Sequence, residues 1–199
     1  MSATRLLVLG AVRIHGGTHG YRVGRELMSW GAKEWANVKW GSIYHALNKL
    51  TSEGRLREFT APGDEEVGRT SYALTDEGEA ELRRLMGEAL RHTGDDHGLL
   101  CAGITLMTSL PRAEAVGLLK ERLAALEEAS PGLGDAVRAT DAEWGKPPHV
   151  RELFTLWRLT MDAGAEWTRR LIASLEAGKY TMADDSPRAF GLPPVRDDA

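Results

Sequence analysis

The 199-residue chain is 42% hydrophobic and 27% charged, a balance that supports one or two small domains with real cores. Its single cysteine, Cys101, excludes an intrachain disulfide and a zinc site built from paired cysteines, and no apolar run approaches the ~18 residues of a membrane span. The formal net charge of −4 is unevenly placed: residues 1–60 hold nine Lys/Arg against four Asp/Glu, a net of +5, while residues 61–199 hold 16 against 25, a net of −9. Such an asymmetry is expected of a nucleic-acid-binding half joined to an acidic assembly half. The start MSATRLLVLGAVRIHGG is charged too early for a secretory signal, so the expected location is cytoplasmic, with no cofactor and no membrane partner.

Residues 4–14, TRLLVLGAVRI, predict a short buried helix broken at Gly16-Gly17. A second helix opens at Thr18 or His19, where Thr18 can cap its first amides; Tyr21, Val23, Leu27 and Met28 give it an inward face before Gly31 ends it. A polar turn follows. The third helix, about 40–53, lies in VKWGSIYHALNKLTSEG, with an apolar stripe of Ile43, Leu47 and Leu50 and with Gly54 as its terminal glycine. Arg55 to Thr60 alternates in strand fashion, APGDEEVG turns, and Arg69 to Leu74 returns as a second strand. Thr75 then caps a helix over about 76–91, whose Leu82, Leu85, Met86 and Leu90 fall at helical spacing. Three short helices followed by a β-hairpin is the winged helix-turn-helix layout, in which the third helix enters the major groove.

After TGDDHG (93–98) the pattern is helical throughout. One helix near 98–109 aligns Leu100, Ile104 and Met107, and another from Pro111 to about Ala129 repeats Val116, Leu119, Leu123 and Leu126 until SPGLG (130–134) interrupts it. The longest, about 149–177, carries Val150, Leu153, Phe154, Trp157, Met161, Trp167, Leu171 and Leu175. Its length and wide stripe suit packing against a second subunit. The expected fold is mainly α with a small β-hairpin. A winged helix-turn-helix DNA-binding domain spans 1–92, a helical dimerisation domain open to an effector spans 98–180, and a flexible tail spans 183–199.

In this order the residues LLVLGAV (6–12), His19-Gly20-Tyr21, GSIYHALNKLTSEG (41–54) and SYALTDEG (71–78) resemble the PadR-like transcriptional regulators. That resemblance implies a dimeric repressor bound to an inverted-repeat operator in double-stranded DNA, with affinity altered by a small aromatic effector. Three features depart from the family's usual pattern. Lys39-Trp40 stands where a small capping pair is common, His45 follows the helix tyrosine where proline is common, and the wing tip reads Asp64-Glu65-Glu66 where it is often basic. Carboxylates at that tip would be repelled by phosphate.

For DNA, Ser42, Tyr44, His45, Asn48 and Lys49 are assigned to the exposed side of the third helix, with Lys39 at its start, Tyr21 near the start of the second helix and Arg69 at the base of the wing. Asn bonds an adenine edge bidentately, Lys takes guanine or phosphate, and Tyr and Ser hydroxyls more often hold phosphates. The bland alternative makes Tyr44 and Tyr21 core residues and the others a solvated face. Trp30, Trp35 and Trp40 recur every five positions, which is no helical face, and read as packing of one inter-helix turn. Trp144, Trp157 and Met161 suit an aromatic ligand, though a dimer core would use them equally well. His15 and His19 are separated by a glycine pair and do not make a helical metal site, and Cys101 in its apolar run reads as an unreactive buried thiol. With no nucleophile elbow and no cofactor fingerprint, an enzyme is not expected. The rival is a winged-helix module that binds a protein or sequesters a ligand.

Overall fold

The computed structural model describes residues 2–60, 69–94, 96–139, 147 and 149–195. Its first helix, α1 (Ala3–Ile14), is apolar on every side through its middle, where Leu6, Leu7, Val8, Leu9, Ala11 and Val12 have no solvent exposure at all. Such a helix must be surrounded. It packs against α2 (Gly20–Ser29), α4 (Trp40–Ser52), α5 (Asp76–Arg91) and α6 (His97–Leu106). Gly10 admits the closest neighbour, since a Cβ there would stand 2.4 Å from Leu106 Cδ1.

Between α2 and α4 lies a short helix, α3 (Ala32–Ala36), where the sequence predicts only a polar turn. Gly31 and Asn37 bracket it in the left-handed region, and the Trp35 indole donates to the Trp30 carbonyl at 2.9 Å, closing the turn on itself. The helix expected third in the chain is therefore α4. The expected stripe of Ile43, Leu47 and Leu50 is fully buried. Its end follows the glycine rule: Gly54 has φ +70°, its N–H donates to the Thr51 carbonyl at 3.0 Å, and the Arg55 N–H donates to the Leu50 carbonyl at 2.8 Å.

The hairpin is β2 (Leu56–Phe59) with β3 (Ser71–Leu74), antiparallel, pairing Leu56 with Leu74 and Phe59 with Ser71. A third strand the sequence reading did not anticipate, β1 (Thr18–His19), adds to the other edge of β3 through Thr18–Tyr72 and His19–Ser71. Thr18 is therefore a strand residue and not a helix cap. The cap of α2 is His19, whose Nδ1 accepts from the Arg22 N–H at 3.2 Å. A two-residue strand leaves no period to read; its partner lies over fifty residues away in the chain. The wing tip, with Asp64, Glu65 and Glu66, lies outside the described residues.

Thr75 caps α5 as expected, its Oγ1 accepting from the Gly78 N–H at 3.0 Å. The same hydroxyl donates to the Gly54 carbonyl at 2.7 Å, and a Cβ on Gly78 would stand 2.0 Å from the Arg55 carbonyl oxygen. Arg5 on α1 braces this junction, bonding Glu53 at 2.6 Å and Glu81 at 2.9 Å. The Arg84 hydrogen bond, followed by that from Arg5, holds the Glu81 carboxyl below the usual carboxylate range against the opposing effect of its burial.

The chain divides into two compact units, Met1–Ala115 with Thr181–Ala199, and Val116–Tyr180. The expected boundary after residue 92 is corrected by α6, which buries Leu99, Ala102 and Leu106, and whose Gly103 lets Ala89 of α5 approach. The tail expected to be flexible from residue 183 is also corrected, because residues 181–195 dock on the first unit. Met182 and Ala189 are buried there, the Phe190 ring meets Trp30 edge-on at 5.7 Å, and the Arg13 guanidinium donates to the Gly191 carbonyl at 3.2 Å. Arg112 binds both Asp184, through its backbone N–H at 3.0 Å, and Asp185. A composition rich in proline and charge hid these few apolar anchors.

In the second unit, α7 (Arg112–Ala139), which starts in the first unit, and α8 (Val150–Glu176) run antiparallel, linked by Lys120–Glu176 at 2.8 Å, Glu127–Arg169 at 2.7 Å and Ser130–Asp162 at 2.7 Å. The interruption expected at 130–134 does not occur, and α7 carries through Pro131. The Ser130–Asp162 bond ties the turn before the proline to α8, so tertiary pairing overrides a local helix breaker there.

Gly78→Ala should destabilise the protein by about 1–3 kcal/mol or more through the forced contact with the Arg55 carbonyl, measured as a lowered urea midpoint at unchanged slope. Glu81 tests the brace. Because its folded-state pKa is depressed, its contribution is present above the ordinary value of 4.5 and is lost as pH falls through the folded value. Glu81→Gln should cost about 1–3 kcal/mol near neutral pH, and its urea midpoint should converge on that of the parent as pH falls through the depressed folded-state value.

Candidate nucleic-acid interface

Burying Ile43, Leu47 and Leu50 turns the opposite face of α4 outward. Tyr44, His45, Asn48 and Lys49 are all exposed on it, and Tyr44 retains 43% of its surface. The side chains of His45 and Asn48 have no hydrogen-bond partner among the described residues, which leaves their donors and acceptors free. Lys49 is only loosely held, 4.0 Å from a Glu53 carboxylate already bonded to Arg5. No acidic residue occurs within α4 itself, so nothing on the helix repels phosphate.

The helix start is built differently from the expectation. Lys39 offers no acceptor to cap α4; instead the Ser42 hydroxyl accepts from the Lys39 N–H at 2.9 Å and donates to the Lys39 carbonyl at 2.7 Å. Ser42 is half-buried and occupied with this bond, whereas the Lys39 side chain stays exposed. Trp40, the first helical residue, lies across α2 at Gly24, where a Cβ would stand 2.0 Å from the indole Cζ3. Tyr21 stacks on the indole at 5.6 Å and His19 stacks on Tyr21 at 6.4 Å, both at 20°.

Tyr21, Tyr44 and Arg69 meet in one cleft of about 530 Å3, together with His19, Gly20, Thr70 and Tyr72. Gly20 makes the meeting possible, since a Cβ there would press within 2.9 Å of the Tyr44 ring. Tyr21 is 56% exposed and so is not the core residue of the alternative reading. Arg69 and Thr70 are exposed at the base of the wing. Burial, then the negative charge of Glu58, pushes the Tyr72 phenol up, so it stands in the cleft as a neutral donor.

Sequence reasoning passed over Arg22 and Arg25, which are exposed on the outward side of α2. Their spacing of three, beginning next to Tyr21, is the available signal; on α2 the sequence assigns only Tyr21 to DNA. Trp40 was assigned to turn packing, and its stacking partner is in another helix. Arg22 and Arg25 on α2, Lys39 and Lys49 at the two ends of α4, and Arg69 at the base of the wing are all exposed cations, residue types that can hold phosphates while the polar row of α4 presents donors to base edges.

The remaining assignments fall elsewhere. Trp157 is 43% exposed on α8 with Phe154 edge-on at 5.4 Å, Met161 is half-buried one turn further on, and Trp144 lies outside the described residues. His15 contacts Glu26 at 3.2 Å, and burial followed by the charge of Arg22 keeps its imidazole below the ordinary value. Burial pushes the Cys101 thiol up, away from thiolate reactivity. Among the described residues no helix is long and apolar enough to cross a membrane.

Comparison with curated proteins found no match. Among solved structures, Bacillus subtilis PadR in complex with operator DNA is 24% identical at a TM-score of 0.37, covering 86% of this chain and 98% of that one. Bacillus subtilis PadR in complex with p-coumaric acid is 23% identical at 0.36, covering 87% and 99%. The PadR-like transcriptional regulator BC1756 from Bacillus cereus is 16% identical at 0.36, covering 88% and 99%. Superpositions this distant carry no argument about function. The sequence match is of another kind: residues 8–84 fit the family model described as the transcriptional regulator PadR-like family, from α1 through the wing into α5. Over residues 8–84 the chain is similar to the PadR-like family of transcriptional regulators.

Proposed function

We propose that the protein is a dimeric repressor that lays α4 in the major groove of an inverted-repeat operator near its own promoter, with half-sites about one helical turn apart. The observation that carries this reading is the outward face of α4, where Tyr44, His45, Asn48 and Lys49 stand exposed on a carboxylate-free helix. Asn48 is assigned to an adenine edge, Lys49 to guanine or phosphate, Tyr44 and Tyr21 to phosphates by their hydroxyls, and Arg69 to the backbone or the minor groove beside the wing. Ser42 acts through the helix start it closes, holding Lys39 in place. The protein acts by binding and not as an enzyme, in the cytoplasm where its operator lies.

The dimer is assigned to the first half of α8. Leu153, Leu156, Trp157 and Leu159 are between 43% and 60% exposed there, a cost in water that a second copy of the chain would remove. Trp157 and Met161 on the same helix are assigned to a small aromatic effector that changes DNA affinity; the exposed indole supports this part.

Gel shifts with the upstream intergenic region should show nanomolar-range binding at low salt. Lys49→Ala with Arg69→Ala should weaken it and lower the slope of log affinity against log salt by about one unit per lost phosphate contact. No detectable binding at low salt, or a double variant that binds as well as the parent, would leave the protein-interaction or ligand-sequestering module. Sedimentation should give twice the chain mass of 21.8 kDa, and Leu156→Glu with Leu159→Glu should return the monomer; a parent that already sediments as a monomer contradicts the dimer.

A further inference from the structure

Trp40 sets the first turn of α4 apart from the rest of the helix. Most of the outward face is polar, yet at its N-terminal end Trp40, 40% exposed, stands beside Tyr21 of α2, 56% exposed. They are not loose: the indole rests on the α2 backbone at Gly24, Tyr21 stacks on it at 5.6 Å, and His19 stacks on Tyr21 at 6.4 Å. The result is a fixed apolar ledge on which a contact orders no side chain, and the ordering cost that weakens most interface contacts is absent. In helix-turn-helix proteins the N-terminal residues of the recognition helix are those that meet base edges. Major-groove base edges present acceptors, donors and one apolar group, the thymine 5-methyl. The flat face of an indole, laid against any other edge, would strip water from a polar atom and return no hydrogen bond, because its one donor, Nε1–H, lies in the ring plane.

We infer that Trp40, held by Tyr21 and Gly24, is a specificity-determining residue that reads the 5-methyl group of a thymine in each half-site. This rests on the DNA-binding reading above. The cations around it serve every sequence alike, whereas this ledge favours one base.

The test begins with selection of duplex sites from a randomised library by the full-length protein at low salt. The best site is then remade with dU in place of each dT in turn, which removes only the methyl, and affinities are read by fluorescence anisotropy. One thymine in each half-site should respond, with binding weakened about fourfold, the worth of one buried methyl. Trp40→Ala should bind the dT and dU forms of that site equally well while keeping the salt dependence of the parent. Indifference of the parent protein to dU at every position overturns the inference, as does a Trp40→Ala protein that still distinguishes the two forms. The dU arm is read on the unaltered protein, so it can overturn the inference even if Trp40→Ala does not fold, and Trp40→Phe, which keeps an aromatic ring on Gly24, then supplies the second variant. A library that yields no enriched site sinks the DNA-binding reading itself, and a methyl-insensitive enriched site sinks only the role of Trp40.

Discussion

The exposed face of α4 is only as well placed as the junction at its C-terminal end. Thr75 Oγ1 accepts from the Gly78 N–H and donates to the Gly54 carbonyl, and the Thr75 N–H donates to the Arg55 carbonyl at 3.2 Å. One threonine thereby joins the exit of α4, the start of β2, the end of β3 and the start of α5. Gly54 is needed for the left-handed turn, and Gly78 for the approach of the Arg55 carbonyl. The Arg5 bonds to Glu53 and Glu81 add a second tie between the same elements and the buried α1. With the helix end fixed to wing and core, the donors on its outward side keep a defined relation to Arg69.

The start of α4 is fixed by other means. No capping side chain stands at Lys39, and the Ser42 hydroxyl closes the first turn on the Lys39 backbone. Trp40 supplies what a small cap residue would not, a large flat surface laid over Gly24 that locks α2 to α4. Trp40 therefore adds an inter-helix stack at the helix start and gives the outward side of α4 an apolar end.

Much of this was legible in the sequence because its signals are local. The stripe Ile43, Leu47, Leu50 and the terminators Gly54 and Thr75 each act within a few residues, and each stands where the periodicity and capping rules place it. What escaped depends on partners far along the chain. Strand β1 exists only because β3 offers an open edge, and α6 belongs to the first unit because its small residues fit α5. The tail docks through Met182, Ala189 and Phe190, three apolar residues scattered in a polar segment. Local rules also overstated Pro131, where pairing with α8 carries the helix onward. At the interface the exposed row of α4 was readable from its amphipathicity, whereas the cleft joining Tyr21, Tyr44 and Arg69 needed the fold.

The central claim, that the outward side of α4 and its flanks form the DNA-binding surface, is tested most directly by hydrogen–deuterium exchange of the full-length protein with and without an operator duplex. Slowed exchange should concentrate in peptides covering residues 39–52 and 69–72 and the start of α2, with the Leu171–Leu175 turn of α8 unchanged. Exchange unaltered across 39–52 under saturating duplex, with protection elsewhere, would contradict the account.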